Sequence, residues 1–74
     1  MATHIKKVME SFISTNGVKD ADLTIDGSRF FLVAPNRFGQ GYIKYISNGE
    51  IWSADLKKSD PTKVTCVKQI PVQA

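Results

Sequence analysis

The side chains with the clearest chemistry in this sequence are aromatic rings and cations near its middle. They alternate with aliphatic residues, and the candidates for contact with another macromolecule are Arg29, Phe31, Arg37, Phe38, Tyr42, Lys44, Ile46 and Ile51. Rings of this kind stack on nucleobases, while arginine and lysine neutralise phosphates. The same residue types are enriched in the hot spots of protein–protein interfaces. The pattern therefore indicates macromolecular binding and leaves open whether the partner is a protein or a single-stranded nucleic acid.

Catalytic chemistry has weaker support. The single cysteine, Cys66, and the single histidine, His4, would have to meet to form a nucleophile and its base. Cys66 lies in an apolar run that is typical of a strand, where a buried and unreactive thiol is expected. There is no phosphate-binding loop of the G-x-x-x-x-G-K-[ST] type, and one cysteine with one histidine does not make the usual zinc site. We therefore expect no enzymatic activity, no cofactor and no metal site.

The length and composition predict a single globular domain spanning residues 1–74. Hydrophobic residues make up 42% of the chain and charged residues 23%, which is typical of a folded chain. No apolar run reaches the roughly 18 residues of a membrane span, so we expect no membrane partner. The single cysteine cannot form an internal disulfide, so we expect a location in the cytoplasm of the producing or host cell. A core this small has limited stability, which makes a homodimer a further alternative.

The first predicted element is an amphipathic helix over about residues 3–15. Its apolar residues recur at helical spacing and form one stripe: Ile5, Val8, Met9, Phe12 and Ile13. Thr3 is the predicted N-cap, and the Asn16-Gly17 pair is expected to end the helix.

Two dipeptides in the rest of the chain favour hairpin turns. Asp26-Gly27 and Asn48-Gly49 each separate two apolar runs, and both favour the type I′ turn. The predicted strands span about residues 21–25, 28–34, 41–47, 50–56 and 64–70, with the position and direction of the fifth left open. The sequence therefore predicts an α+β fold, in which one N-terminal amphipathic helix packs on a four- to five-stranded antiparallel sheet built from two β-hairpins.

A two-residue turn fixes which residues face each other across a hairpin. Leu23 should face Phe30, and Tyr45 should face Trp52, on the more apolar side that is expected to lie under the helix. The other side is expected to remain open, and it carries Arg29, Phe31, Val33, Tyr42, Lys44, Ile46 and Ile51. Arg37 and Phe38 lie on the adjoining loop. An open apolar and aromatic patch of this kind usually marks a binding surface.

Residues 38–45, FGQGYIKY, partly resemble the longer sheet motif of RNA-recognition domains. The residues in matching positions are Gly39, Gly41, Tyr42, Ile43 and Tyr45. Phe38 and Gln40 depart from the motif, and the chain lacks the second helix of that fold. The resemblance implies a base-stacking sheet, but it covers too little of the chain for a family assignment.

The sequence thus predicts a small non-enzymatic binding module, a regulator or inhibitor that engages a protein partner through the open sheet face. In general character the chain resembles the short regulators and inhibitors that phages and mobile elements encode. A single-stranded nucleic-acid-binding protein that uses the same face is the alternative, and a self-associating structural protein is a further one.

Overall fold

The computed structural model describes residues 2–71, which form one helix followed by five strands. The elements are α1 (Ala2–Asn16), β1 (Ala21–Ile25), β2 (Ser28–Val33), β3 (Tyr42–Ser47), β4 (Glu50–Lys57) and β5 (Asp60–Ile70). Neighbouring strands are antiparallel and follow the order β1-β2-β3-β4-β5, so the sheet is a meander. The predicted α+β fold class, with a helix on an antiparallel sheet and two hairpins, is confirmed.

Several element bounds differ from the predicted ones. The helix begins at Ala2, so Thr3 lies inside it and is not its N-cap. Residues 34 and 41 belong to the loop between β2 and β3 rather than to the predicted strands. The largest difference is in β5, which begins at Asp60 instead of residue 64, because Lys58 and Ser59 make a tight turn directly after β4.

Helix α1 contributes one side of the hydrophobic core. Met9, Phe12 and Ile13 are no more than 6% exposed. The helix ends as predicted, because Gly17 has a φ of 84° and its N–H donates to the carbonyl of Ile13 at 2.8 Å. The sheet contributes the opposite side of the core with Phe30, Leu32, Ile43, Ala54, Leu56 and Val64. The rings of Phe12 and Phe30 stack between the two layers with their centroids 4.0 Å apart.

Both hairpin turns have the predicted conformation. The φ angle lies between 52° and 79° at the four central residues, which are Asp26, Gly27, Asn48 and Gly49. Positive φ at both central positions is what a type I′ turn requires. The predicted register follows from these turns, with Leu23 opposite Phe30 and Tyr45 opposite Trp52.

Strand β5 lies antiparallel to β4 at one edge of the sheet, and a bulge interrupts it. Within the β4–β5 ladder, Cys66 and Val67 together occupy the space opposite Ala54. Cys66 has a φ of 53° and an exposed side chain, whereas Val67 packs against the core. The expectation of a buried thiol is therefore wrong, because the bulge turns Cys66 out of the strand alternation.

The helix does not cover the whole sheet. It packs mainly on β5 and, through Phe12, on β2. A helix is about 10 Å wide, whereas five strands at about 4.8 Å spacing span roughly 19 Å. Leu23 and Ile25 on β1 are consequently 39% and 41% exposed, although they belong to the helix side of the sheet. The expectation that Leu23 lies under the helix is wrong for this reason.

Candidate interaction surface

The sheet face opposite α1, which we call the open face, is assembled by the pairing of β2 with β3. The pairs that join the two hairpins are Arg29–Ile46, Phe31–Lys44 and Val33–Tyr42. Strands β4 and β5 extend these three rows with Ile51 and Ile70, Ser53 and Lys68, and Asp55 and Thr65. Within residues 2–71, no element packs over this face. The two hairpins together with β5 therefore form one continuous surface.

An aromatic pair marks the centre of the β2–β3 part of the open face. The rings of Phe31 and Tyr42 are inclined by 25°, with their centroids 6.1 Å apart. With Arg29, Lys44 and Ile46 they line a shallow depression of about 260 Å³. Five of the candidate residues thus meet at one concave site, as the sequence pattern predicted for a shared face.

A row of isoleucines runs beside this depression. Ile46 lies opposite Ile51, and Ile51 lies opposite Ile70 on the next strand. All three are half-buried. β-Branched side chains that oppose each other across strands pack closely, so the row makes a continuous apolar ridge. Ile70 was not among the predicted residues, because the register of β5 could not be read from the sequence.

Arg29 is already engaged within the chain. Its Nε donates to Oδ1 of Asp22 at 2.8 Å, and its Nη2 donates to Oδ2, which makes the pair bidentate. The hydrogen bonds from Arg29 lower the pKa of Asp22, and the same contact raises the pKa of Arg29. Both side chains are about half exposed, so the pair adds little stability. Its main effect is to cancel the charge of Arg29 on the open face.

The other charges on the open face are few and of both signs. Lys44 and Lys68 lie on either side of Ser53 in the middle row. Asp55 lies in the adjacent row, opposite Tyr42. Lys57 and Lys58 add positive charge where this face meets the loop of residues 34–41. The described part of the open face therefore carries charges of both signs, with its lysines near a carboxylate.

The loop of residues 34–41 is held together by Asn36. Its Oδ1 accepts hydrogen bonds from the N–H groups of Phe38 at 2.8 Å and Gln40 at 3.1 Å. The Arg37 guanidinium lies 4.9 Å from the centroid of the Phe38 ring, which is 67% exposed. Neither Arg37 nor Phe38 lines the depression around Phe31 and Tyr42, or a second depression near the loop. The structure therefore brings six of the eight candidates together and leaves these two apart on the loop.

A second and larger depression, of about 640 Å³, lies where the open face meets this loop. The residues that line it are Val33, Asn36, Gly39, Gln40, Gly41, Tyr42, Asp55, Leu56, Lys57, Lys58 and Thr65. Tyr42 borders both depressions and so links them. Asn36 was not among the predicted residues, because its place beside Tyr42 depends on how the loop folds against the sheet. Thr65 carried no signal, because its neighbours depend on the pairing of β5.

The described residues offer little support for other chemistry. They contain no group of three or more side chains placed to hold a metal ion. The helix that the structure describes is neither long nor apolar enough to cross a membrane. One helix followed by five consecutive strands also differs from the fold of RNA-recognition domains, so that resemblance does not extend beyond residues 38–45.

Comparison with known proteins gives no match: no family model fits the chain, and no curated protein or solved structure is significantly similar to it.

Proposed function

We propose that this protein is a small non-enzymatic binding module, a regulator or inhibitor that engages a protein partner through the open face. The observation that supports this most directly is the Phe31–Tyr42 pair beside the isoleucine ridge, on a face that no described element covers. Burying apolar and aromatic side chains at the centre of an interface is the largest source of affinity between proteins.

The charge distribution favours a protein over a single-stranded nucleic acid. A phosphate chain would need several unpaired cations along its path. On the open face Arg29 is neutralised by Asp22, and the Asp55 carboxylate would repel phosphate. A protein surface with mixed polar and apolar groups suits this arrangement better.

A two-sided variant experiment tests the proposal. The double variant Phe31→Ala, Tyr42→Ala removes the aromatic pair, and Lys6→Ala, Lys7→Ala changes exposed positions on the helix at the opposite side of the sheet. With the tagged protein as bait in a lysate of the encoding cell, we expect the wild type and the helix variant to retain the same partner. We expect the open-face variant to lose that partner while it stays folded by circular dichroism. A folded open-face variant that keeps the partner would refute this surface.

The two alternatives have their own measurements. Anisotropy titration with mixed single-stranded DNA and RNA at low and moderate salt should show no tight binding. Binding that weakens steeply with salt would instead indicate counterion release and a nucleic-acid ligand. Sedimentation of the purified protein tests the self-associating alternative. If the wild type sediments as a dimer and the Phe31→Ala, Tyr42→Ala variant as a monomer, the open face binds a second copy.

A further inference from the structure

The two edges of the sheet differ in how their backbone is protected. At the β5 edge, the Glu10 carboxylate accepts a hydrogen bond from the N–H of Val64 at 3.0 Å. The same strand carries Pro61 and the bulge at Cys66, and both features hinder the pairing of another strand. Strand β1 has none of these features: its sequence, ADLTI, contains no proline or lysine, and its pairing with β2 is regular throughout.

The hairpin turn determines which backbone groups of β1 point away from the sheet. In a hairpin with a two-residue type I′ turn, the residues that flank the turn form a hydrogen-bonded pair, here Ile25 with Ser28. Hydrogen-bonded and non-hydrogen-bonded pairs then alternate along the strand. The N–H and C=O groups of Leu23 therefore point toward β2, and those of Asp22 and Thr24 point outward. These outward groups are available to another strand.

The side chains beside this edge are unusually exposed for apolar residues. Leu23 and Ile25 are 39% and 41% exposed. A groove of about 320 Å³ separates β1 from α1, and its apolar lining comes from Val8, Phe12, Ile25 and Phe30. A strand that added to β1 would place every second side chain over this groove, where it would cover the exposed leucine and isoleucine.

The charge along the edge specifies what kind of strand fits. Asp20, Asp22 and Asp26 are all exposed and alternate in sequence with the apolar residues of β1. Asp22 is paired with Arg29, so the unneutralised negative charge along the edge comes from Asp20 and Asp26, although Asp22 can still accept further hydrogen bonds. The β1 strand of a second copy would bring the same acidic groups into opposition. A basic strand is the complementary one.

From these observations we propose that the free edge of β1, with the groove between β1 and α1, binds an extended segment of a partner protein in which apolar and basic residues alternate. The outward N–H and C=O groups of Asp22 and Thr24 hydrogen-bond to the added backbone. The apolar side chains of the segment lie beside Leu23 and Ile25, and its lysine or arginine side chains lie on the side of β1 that carries Asp20, Asp22 and Asp26. The segment's backbone and apolar side chains use the edge of β1 and the helix side of the sheet, and only its basic side chains adjoin the open face. The site does not depend on the function proposed for that face.

Titration of the protein with the blocked peptide KVKVKVK tests the proposal. In two-dimensional NMR spectra, we expect the largest shifts at the amides of β1 and of residues lining the groove. Amide hydrogen exchange at Asp22 and Thr24 should be fast in the free protein and slow in the complex. The matched peptide EVEVEVE should bind at least about tenfold more weakly, because like charges directly opposite each other are destabilising.

Two variants test the role of the edge itself. Thr24→Pro removes an outward N–H without breaking the β1–β2 ladder, and the proline ring obstructs an added strand, so affinity for KVKVKVK should fall at least about tenfold. Thr24→Ser keeps the N–H and should bind as the wild type does. If Thr24→Pro does not fold, Leu23→Lys serves instead, because it places a cation beside the groove and should weaken binding of the basic peptide.

Several results would overturn the proposal. One is the absence of binding at millimolar peptide, and another is equal binding of the basic and acidic peptides. Shifts confined to Phe31, Tyr42 and their neighbours would place the peptide on the open face instead. Protection of the Asp22 and Thr24 amides that rises with the concentration of the protein alone would show that a second copy occupies the edge. None of these results bears on whether the open face binds its own partner.

Discussion

Replacement of Gly41 by alanine is expected to destabilise the fold through crowding alone. A Cβ atom at this position would lie 2.6 Å from the N of Pro35, 2.8 Å from its Cα and 2.8 Å from the carbonyl oxygen of Val33. All three are backbone atoms, so none can rotate aside as a flexible side chain could. Gly41 is also held in place, because its carbonyl accepts a hydrogen bond from the N–H of Leu56 at 3.0 Å. Overpacking of this kind costs about 1–3 kcal/mol. A domain of this size has a net stability of only about 3–5 kcal/mol, so Gly41→Ala should remove a large part of it.

Urea unfolding followed by the fluorescence of Trp52, the one tryptophan of the chain, measures this loss. Gly17→Ala is the matched control: a Cβ there meets nothing within 4 Å, but the φ of 84° is unfavourable for alanine and costs about 1–2 kcal/mol. We expect Gly41→Ala to lower the midpoint and to shift the amide signals of Tyr42, which follows it in the chain. A change in the free energy of unfolding below about 0.5 kcal/mol, as at ordinary surface sites, would refute the crowding argument.

Two further predictions concern the edge of β5 and the acidic side of the pH range. Glu10→Ala leaves the N–H of Val64 without its carboxylate partner, so it should lower the free energy of unfolding by about 1 kcal/mol and speed amide exchange at Val64. Glu10→Gln keeps an acceptor and should lose less stability. Equal losses in the two variants would contradict the hydrogen bond. Hydrogen bonds from Arg29 lower the pKa of Asp22, and those from the side chain and backbone of Thr62 lower the pKa of Asp60, so the folded protein binds these protons less tightly than the unfolded chain. The stability they contribute is small, since Asp22 is about half exposed. It is present above the ordinary Asp pKa and is lost as the pH falls through their folded values. Urea midpoints should therefore drop slightly on acidification, and the drop should be smaller in Asp60→Asn; an equal drop in that variant would contradict a lowered pKa of Asp60.

The candidate site was predictable wherever hairpin turns set the register. The outward positions of Arg29 and Phe31 follow from counting residues forward from the Asp26-Gly27 turn, and that of Tyr42 from counting back from Asn48-Gly49. The proximity of Phe31 to Tyr42 was not predictable, because it depends on the pairing of β2 with β3 across a loop rather than a tight turn. The ion pair between Arg29 and Asp22 could be predicted, since both lie on the same face of the same hairpin. Its bidentate geometry could not be predicted from the sequence.

In strand β5 a bulge at one residue makes the alternation of side chains differ from the one expected from the sequence. Continued alternation from Val64 would place Lys68 and Ile70 on the helix side of the sheet. The bulge at Cys66 reverses the alternation, so that Val67 packs against the core and Lys68 and Ile70 join the open face. Positive φ is most common at glycine and asparagine. Because residue 66 is a cysteine, its residue type did not predict the positive φ that the bulge needs.

The sequence by itself determined the helix, both hairpins and their registers, because each depends on residues close together in the chain. Helical spacing placed Met9 and Ile13 in the core, and Asp26-Gly27 and Asn48-Gly49 set the turns through local backbone preference. Only the tertiary structure decided how the hairpins join, where β5 changes phase and which strands the helix covers. Those outcomes depend on packing between distant segments, because a single helix covers only part of the sheet and packs mainly on β5 and, through Phe12, on β2. The edge of β1 was left uncovered as a result.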